Sequence, residues 1–306
     1  MLQDPAASLR WKVAGESVRG AAHHRNGLLN QDALLFQPDE ERGAAVVAIA
    51  DGHGSASSFR SMVGSRYAVH IAVDEGLAFL HSLGDVRRHP DPQEIEARLV
   101  PRLGVRTIVR WGDCVRRHHE HRGFSAAELN RVAEQAGLGA LDRVQQDPVV
   151  AYGSTLLVAL ATPLFLAFLQ LGDGDILTVT ADGEPERPLP DDRRLMADET
   201  YSLSGPTAAQ ELRSWCRSLA AWTPELVLLA TDGFANSYAD EAGVRGAASG
   251  YLEAVRSTGL AAVGRQLHGW LKEITFGGAG DDVTVALLWP HRPSAPGSGP
   301  TAPPHA

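Results

Sequence analysis

Aspartates next to apolar stretches are the residues of this sequence best suited to chemistry. They occur as Asp51-Gly52, Asp173-Gly174, Asp232-Gly233 and Asp281-Asp282. We expect each apolar strand to run into its aspartate, so that the carboxylates sit at strand ends. Carboxylates gathered in a low-dielectric cleft repel one another unless they are protonated or cations neutralise them. Because Mg²⁺ and Mn²⁺ prefer oxygen ligands, the pattern predicts a site for such divalent ions.

The same dipeptides have a simpler interpretation, because Asp-Gly is a common turn. Any one of them alone favours the turn. Their recurrence beside apolar strands favours the metal site. Asp32, which lies where a polar segment leads into another predicted strand, adds a further carboxylate. A calcium loop of the EF-hand type is a weaker alternative at Asp173, because Leu177 occupies a ligand position and the required glycine is missing.

Residue counts exclude several other chemistries. The two lysines, Lys12 and Lys272, lie in no glycine-rich P-loop. Cys114 and Cys216 form no C-x-x-C pair, and neither has an arginine at the spacing of a cysteine-dependent phosphatase. The serine-hydrolase pattern G-x-S-x-G is absent. A net charge of −9 disfavours nucleic acid as a partner.

One apolar stretch approaches the length of a membrane span. Residues 155–171 are nearly all apolar, but Pro163 interrupts them and no basic flank accompanies them. They predict two buried strands joined by a tight turn. Residues 1–10 contain no apolar run of the kind found in signal peptides. We therefore expect a cytoplasmic protein with no membrane partner.

Apolar runs and their periodicity predict the elements that position the aspartates. Strands are expected at 11–18, 32–36, 44–50, twice within 155–171, from Asp175 onward, at 226–230 and at 283–289. Helices are expected at 59–83, 94–121, 208–222 and 251–274, the last broken near Gly259. Residues 124–147 read as irregular or weakly helical, and 184–206 as a long surface loop that could form a flap over the cleft.

Strands in two batches, with helices between and after them, predict an α+β protein in which one sheet stacks on another and helices lie outside. We expect one domain over residues 8–290. The Pro/Gly/Ser-rich tail, residues 291–306, cannot bury enough apolar surface to order itself.

A histidine-rich run, Arg116 to Arg122, has two interpretations. Its sequence RRHHEHR could bind a metal ion, but the arginines oppose a cation. We favour a solvated helix end, where basic side chains complement the helix dipole.

Six ordered motifs resemble the metal-dependent PP2C-type protein serine/threonine phosphatases, in particular their bacterial branch. The motifs are SVRGAAHHRNGLLNQDALLF (17–36), VAIADGHGS (47–55), YGSTLL (152–157), LQLGDGDIL (169–177), LLATDGFANS (228–237) and GDDVTV (280–285). They span nearly the whole chain, which makes chance similarity a poor explanation. The resemblance implies a central antiparallel β-sandwich flanked by α-helices on both faces, with two Mn²⁺ or Mg²⁺ ions at one edge.

The resemblance also implies which residues hold the metals. Asp51 would be shared by both ions, and the Gly52 carbonyl would bind one of them. Asp232 and Asp281 would hold the other ion. Asp173 matches a carboxylate that helps bind a third, weaker ion.

Further roles follow from the resemblance. Asp32 would orient metal-bound water. His53 would be the general acid for the leaving serine or threonine oxygen. Gly27 occupies the counted position of the family's phosphate-binding arginine, which leaves Arg25, or His24 beside it, as the substitute.

Two departures bear on activity. Gln31 stands where many members have glutamate, and Asp282 replaces a common asparagine. The expected reaction is hydrolysis of phosphoserine and phosphothreonine in proteins, by in-line attack of a metal-bridging hydroxide. The partners would be a phosphorylated protein and a kinase whose action is reversed, and we expect a monomer. The alternatives are a phosphatase of small metabolites on the same metals and a pseudophosphatase that binds phosphoprotein without hydrolysing it.

Overall fold

A computed structural model describes residues 9–84, 91–190, 192 and 200–292 of the chain. Of the predicted tail, 291–306, all but the first two residues lie outside these ranges. Part of the predicted flap, at 191 and 193–199, also lies outside them.

Two antiparallel sheets of five strands form the centre of the described chain. One sheet has the order β1-β10-β9-β6-β7 and the other the order β2-β3-β4-β5-β8. The strands are β1 Arg10–Val18, β2 Ala33–Asp39, β3 Ala44–Ala50, β4 Leu156–Ala161, β5 Phe165–Leu171, β6 Asp175–Val179, β7 Pro185–Glu186, β8 Arg213–Ser218, β9 Leu226–Ala230 and β10 Val283–His291. This arrangement confirms the predicted α+β class and the β-sandwich.

Helices cover the outer faces of both sheets. They are α1 Ala21–Asn26, α2 Ser61–Ser82, α3 Pro92–Leu99, α4 Val105–His121, α5 Ala126–Ala136, α6 Leu138–Gln146, α7 Ala208–Glu211, α8 Asp232–Ala235, α9 Glu241–Thr258 and α10 Leu260–Gly277. α2 packs on β2 to β4, and α4 packs on α2. α10 packs on β1 and β10, and α9 on β6 and β7. No helix of the described ranges is both long and apolar enough to cross a bilayer.

β3 shows why the central strands read as unbroken apolar runs. Val47 and Ile49 pack between the two sheets, whereas Val46 and Ala48 pack under α2. Both faces of the strand are therefore buried, so the alternation of polar and apolar residues disappears.

Several predicted elements are confirmed. The apolar stretch 155–171 forms the hairpin β4–β5, and the strand at 44–50 has its predicted bounds. The helical stretch predicted at 94–121 is present, with a π-helical segment at Val100–Gly104 between α3 and α4. Pro101 lies in that segment, where the ordinary helical hydrogen-bond ladder is already interrupted.

The helix predicted at 208–222 is wrong. Only α7 is helical there, and β8 follows it as the edge strand beside β5. Trp215 of β8 stacks on Phe168 of β5 at a ring distance of 5.3 Å. Local periodicity cannot reveal this pairing, because β5 lies more than 40 residues earlier in the chain.

Other bounds also differ from the prediction. Residues 124–147 form two helices, α5 and α6, and α5 begins with a capping box at Ser125 and Glu128. The helical region predicted at 251–274 begins earlier, at Glu241, and ends at Gly277, while the predicted break at Gly259 is confirmed, with φ 81° between α9 and α10. β10 extends to His291, one residue beyond the predicted domain boundary, because His291 pairs with Arg10 of β1.

Candidate metal centre

The predicted ligands lie at one edge of the sandwich because neighbouring strands are antiparallel, so the end of one lies beside the start of the next. The start of β2 pairs with the end of β3, which brings Asp32 beside Asp51. β10 starts where β9 ends, which brings Asp281 beside Asp232. The turn before β6 carries Asp173 to the same edge, since β6 also pairs with β9.

Asp51 and Asp232 are in direct contact, and their side chains are within hydrogen-bonding distance. Burial raises the pKa of Asp51 well above its usual range, and the charges of Asp32, Asp232 and Asp281 raise it further. Burial also raises the pKa of Asp232, with added repulsion from the exposed Asp173 and from Asp281. Without a cation these carboxylates hold protons that free aspartates would lose.

Asp32 is buried and held by two hydroxyl groups. Thr231 and Thr284 each donate to its Oδ2, both at 2.7 Å. Burial raises the pKa of Asp32 to about 8, the two hydroxyls oppose that shift, and the charges of Asp282 and Asp232 add to it. The Thr231 N–H donates to the Thr284 carbonyl at 3.1 Å, and the Thr284 N–H donates to Thr231 Oγ1 at 3.0 Å, so the ends of β9 and β10 together fix this carboxylate.

Asp282 connects three segments of the site. Its Oδ1 accepts the N–H of Gly20 at 2.6 Å, and its Oδ2 accepts the N–H of Gln31 at 2.7 Å. His23 lies between the two acids, with Nδ1 2.9 Å from Asp282 Oδ1 and Nε2 3.8 Å from Asp281 Oδ1. The sequence interpretation gave His23 no role, although the extra acid at 282 was a signal that a partner was needed.

Close backbone packing holds this edge together. Asp281 and Asp282 precede β10, whereas the sequence pattern predicted that they would follow a strand. A Cβ on Gly233 would stand 2.0 Å from the Asp282 carbonyl oxygen, and one on Gly20 would stand 2.4 Å from the Asp281 carbonyl carbon. These glycines therefore let the aspartate-bearing segments approach each other.

The YGSTLL motif supports the loop that carries Asp51. The Asp51 N–H donates to Thr155 Oγ1 at 3.0 Å, and the Thr155 N–H donates to the Asp51 carbonyl at 2.8 Å. The His53 N–H donates to the Gly153 carbonyl at 3.1 Å. A Cβ on Gly153 would come within 2.8 Å of the His53 ring. Burial lowers the pKa of His53, and the charge of Asp173 opposes that shift.

The described end of the predicted flap reaches the same loop. Leu203 donates its N–H to the Ser154 carbonyl at 2.8 Å, and the Ser154 N–H donates to Ser202 Oγ at 3.1 Å. Ser154 also forms an isolated β-bridge with Gly52. This part of the 184–206 segment is therefore fixed beside the site.

The residues predicted to bind phosphate are less enclosed. His24 and Arg25 are exposed on α1, and an Arg25 Nη2 lies 3.7 Å from where a Cβ of Gly280 would stand, next to the Asp281 segment. Gly27 ends α1 with φ 71°, a left-handed conformation that favours glycine over arginine. An arginine at this position would therefore be strained by the backbone conformation that ends α1.

The donor set fits hard divalent cations. Potential ligand atoms of His23, Asp281 and Asp282 lie within 4.8 Å of one another. Asp51, Asp232 and Asp281 do not meet that distance as a trio, although the charge of Asp281 is close enough to raise the pKa of both Asp51 and Asp232. Gln31 Oε1 is buried beside Gly54 and lacks a hydrogen-bond partner among the described residues. An oxygen-rich edge with an unsatisfied buried carbonyl suits a hydrated metal ion.

Comparisons with known proteins agree with the fold. A family model described as "Protein phosphatase 2C" matches residues 19–272. PppA of Pseudomonas aeruginosa, a key regulatory component of T6SS, is 19% identical with a TM-score of 0.53, over 92% of this chain and 98% of that one. A mutant bacterial serine phosphatase is 14% identical with a TM-score of 0.56, over 94% of this chain and 100% of that one.

The catalytic domain of the serine/threonine phosphatase PstP, in complex with two manganese ions, is 21% identical. Its TM-score is 0.49, over 92% of this chain and 99% of that one. No curated protein matches the chain.

Proposed function

Since the chain belongs to the protein phosphatase 2C family, we propose that it hydrolyses phosphoserine and phosphothreonine in proteins with the help of divalent metal ions. The observation that carries the proposal is the contact between the half-buried Asp51 and Asp232, with Asp32 and Asp281 close by. Their mutual repulsion is relieved when cations replace the protons that the metal-free site retains.

Different residues of the chain would hold the different metal ions. Asp51, Asp232 and Asp281, with the Gly52 carbonyl, would hold two Mn²⁺ or Mg²⁺ ions, and Asp173 would help to hold a third. When bound, such ions supply an activated water and neutralise the phosphoryl oxygens.

Asp32 is suited to orient water. Both threonine hydroxyls bond to its Oδ2, and among the described residues no hydrogen bond uses Oδ1. Oδ1 can therefore accept a hydrogen bond from a water in the cleft, while Thr231 and Thr284 keep the carboxylate from rotating.

Residues beside the candidate metal centre would contact the substrate. Arg25, with His24 beside it, is the candidate to bind the phosphoryl group, because α1 places it next to the Asp281 segment. His53 is the candidate general acid for the leaving oxygen, and its backbone bond to Gly153 fixes its place beside Asp51. A phosphorylated protein is the expected partner, and a serine/threonine kinase would supply that substrate.

A titration of purified protein with Mn²⁺, Mg²⁺ and EDTA against a phosphothreonine peptide tests the proposal. We expect metal-dependent release of phosphate that falls more than about 100-fold in Asp51→Asn and in Asp232→Asn, with the fold intact. Asp182→Asn is the matched control, because Asp182 is an exposed aspartate in the β6–β7 turn, away from the edge where β6 begins. Wild-type turnover in either site variant would refute the ligand assignment.

The same titration separates the alternatives. Gln31 stands where many members of the family have glutamate, and its neutral amide would hold metal-bound water less strongly than a carboxylate, which is why a pseudophosphatase is the second candidate. Tight binding of the phosphopeptide without phosphate release at saturating Mn²⁺ would identify one. Faster hydrolysis of small phosphorylated metabolites than of phosphopeptides would instead identify a metabolite phosphatase.

A further inference from the structure

Away from the candidate metal centre, a cavity lies in the outer helical layer, between α2 and the C-terminal end of α4. It has a volume of about 320 Å³ and is lined by Tyr67, Cys114, Arg117, His118, His121 and Arg122. None of these residues takes part in the candidate metal centre. The interpretation of 116–122 as a solvated helix end holds for the exposed Arg117, His121 and Arg122, but His118 is half-buried and bonded to Tyr152.

The two arginines of the cavity lack acidic partners. Within the described ranges, no carboxylate lies within 4.0 Å of the guanidinium of Arg117 or Arg122. Nearby arginines of the same helical layer are paired: Arg60 bonds to Glu128 at 3.0 Å, and Arg106 bonds to Glu75 at 2.6 Å. Unpaired cations around one concave surface attract anions.

Hydrogen bonds among the neighbouring groups favour one tautomer of His118. Arg60 Nη1 donates to the Tyr152 hydroxyl at 3.0 Å, so that oxygen is an acceptor for Arg60. The hydroxyl proton is then free to point at His118 Nδ1, 2.8 Å away. In that arrangement Nδ1 accepts, and the neutral ring carries its hydrogen on Nε2. His118 thus offers a neutral N–H donor on a ring that lines the cavity.

We propose that this cavity is a second anion site, which binds a phosphate group through the guanidinium groups of Arg117 and Arg122 and the Nε2–H of His118. A tetrahedral phosphate presents three terminal oxygens to donors on different sides, and arginine forks match that geometry. The cavity is large enough for a phosphate that is free or attached to an amino-acid side chain. The site requires no metal ion.

Cys114 provides a reporter of occupancy. It is half-buried in the cavity wall, and Arg117 Nη2 lies 3.3 Å from its sulfur. The other thiol, Cys216, is buried, and burial raises its pKa to about 12, which makes it slow to react with thiol reagents. Labelling of the folded protein by a chromogenic disulfide reagent therefore reports on Cys114, and Cys114→Ser should abolish the fast phase.

The experiment measures that labelling rate in EDTA, with inorganic phosphate or with sodium chloride at equal ionic strength. We expect phosphate, but not chloride, to slow labelling in a saturable way. Arg117→Ala and Arg122→Ala should each raise the half-saturating phosphate concentration about tenfold. Arg116→Ala, on the same helix but outside the cavity, should leave it unchanged. The labelling rates with and without phosphate are compared within each variant, because removal of Arg117, which contacts the Cys114 thiol, changes the basal labelling rate as well.

A second arm identifies the source of the phosphate. A phosphoserine peptide and its unphosphorylated form are compared with inorganic phosphate. Protection at lower concentration by the phosphopeptide assigns the site to a phosphorylated protein segment, and protection at lower concentration by inorganic phosphate assigns it to the free ion. Absence of protection by both ligands, or equal protection in the arginine variants and wild type, overturns the proposal. Because EDTA prevents turnover, this outcome is independent of the proposed phosphatase activity.

Discussion

Asp282 is an acidic residue at a position that is almost completely enclosed, with 3% of its surface exposed. Its oxygens accept two backbone N–H groups, from Gly20 and Gln31, and face the His23 ring. Hydrogen bonds of this kind stabilise a buried carboxylate. They also tie the segment of Asp281 to the start of α1 and the approach to β2, so His23 and Asp282 are placed to position the candidate metal ligand Asp281.

We predict that His23→Ala weakens metal binding. The half-saturating Mn²⁺ concentration should rise about tenfold, since groups that orient metal ligands have effects of this size. His23→Gln retains a donor and should restore part of the loss, whereas His70→Ala, an exposed histidine of α2, should have no effect. Calorimetric titration of Mn²⁺ provides the measurement, with the melting temperature in EDTA as a check on folding. Unchanged Mn²⁺ affinity in His23→Ala would remove the positioning role.

His53 allows a second test of residue chemistry. If it protonates the leaving oxygen, His53→Ala should lower turnover of a phosphothreonine peptide by about 100-fold or more. Turnover of p-nitrophenyl phosphate should change little, because nitrophenolate leaves without protonation. Steady-state kinetics with both substrates distinguish the outcomes, and equal losses would argue against the acid role.

Antiparallel strand ends and close helix packing organise the site at the scale of elements. β3 delivers Asp51 at the edge, and the 3₁₀ segment Pro148–Tyr152 leads into the residues that hold its loop. α2 packs tightly against that segment, because a Cβ on Gly64 would stand 1.8 Å from the Tyr152 carbonyl oxygen. Trp111 of α4 donates its indole N–H to the Gly64 carbonyl at 2.9 Å from the other side.

Gly64→Ala is therefore expected to destabilise the fold by about 3 kcal/mol, because a backbone oxygen cannot move aside as a flexible side chain could. Gly246→Ala is the matched control, since a Cβ on Gly246 of α9 would meet nothing within 4 Å. There the substitution should stabilise the helix by about 0.5–1 kcal/mol. Urea denaturation measures both changes, and a similar free energy of unfolding for the two variants would contradict the packing argument.

In the whole molecule, aspartates that repel one another lie at one edge of a sandwich whose layers are otherwise filled with apolar side chains. One apolar layer lies between the sheets, and one lies under the helices on each outer face. The free energy of unfolding should therefore depend on the metal and on pH through that edge.

Metal removal should lower the melting temperature, and the metal-free protein should lose stability as pH rises from 7 to 8.5. The pKa of Asp32 is raised to about 8 in the folded protein from an ordinary value of 3.8. The folded state thus holds a proton that the unfolded state has already lost. Stability then falls as pH rises through the folded pKa, by about 1 kcal/mol between pH 7 and 8.

Saturation with Mn²⁺ at about 100 times its Kd should add about 3 kcal/mol and remove most of this pH dependence. Differential scanning calorimetry in EDTA and in Mn²⁺ provides the comparison. A melting temperature that rises with pH in EDTA would contradict the prediction. The range above pH 7 is chosen because burial lowers the pKa of His53 and His118, whose titration affects stability only at lower pH.

Local sequence patterns were sufficient to predict the central strands, the family and the positions of the key aspartates. Runs such as 44–50 and 226–230 identified central strands because burial on both faces leaves only apolar residues, and the order of the motifs identified the family. The positions of Asp51, Asp232 and Asp281 at strand ends could likewise be read from the chain, and the strand predicted at 283–289 placed Asp281 before β10.

Tertiary structure decided which distant residues meet. β8 is a strand because it pairs with the edge of β5. His23 occupies its position because it contacts Asp282, which lies 259 residues later in the chain. The cavity around Arg117 exists because α2 and α4 pack side by side. Periodicity reports contacts within a few residues, whereas pairing of strands, compensation of buried charge and cavities depend on segments that only folding brings together.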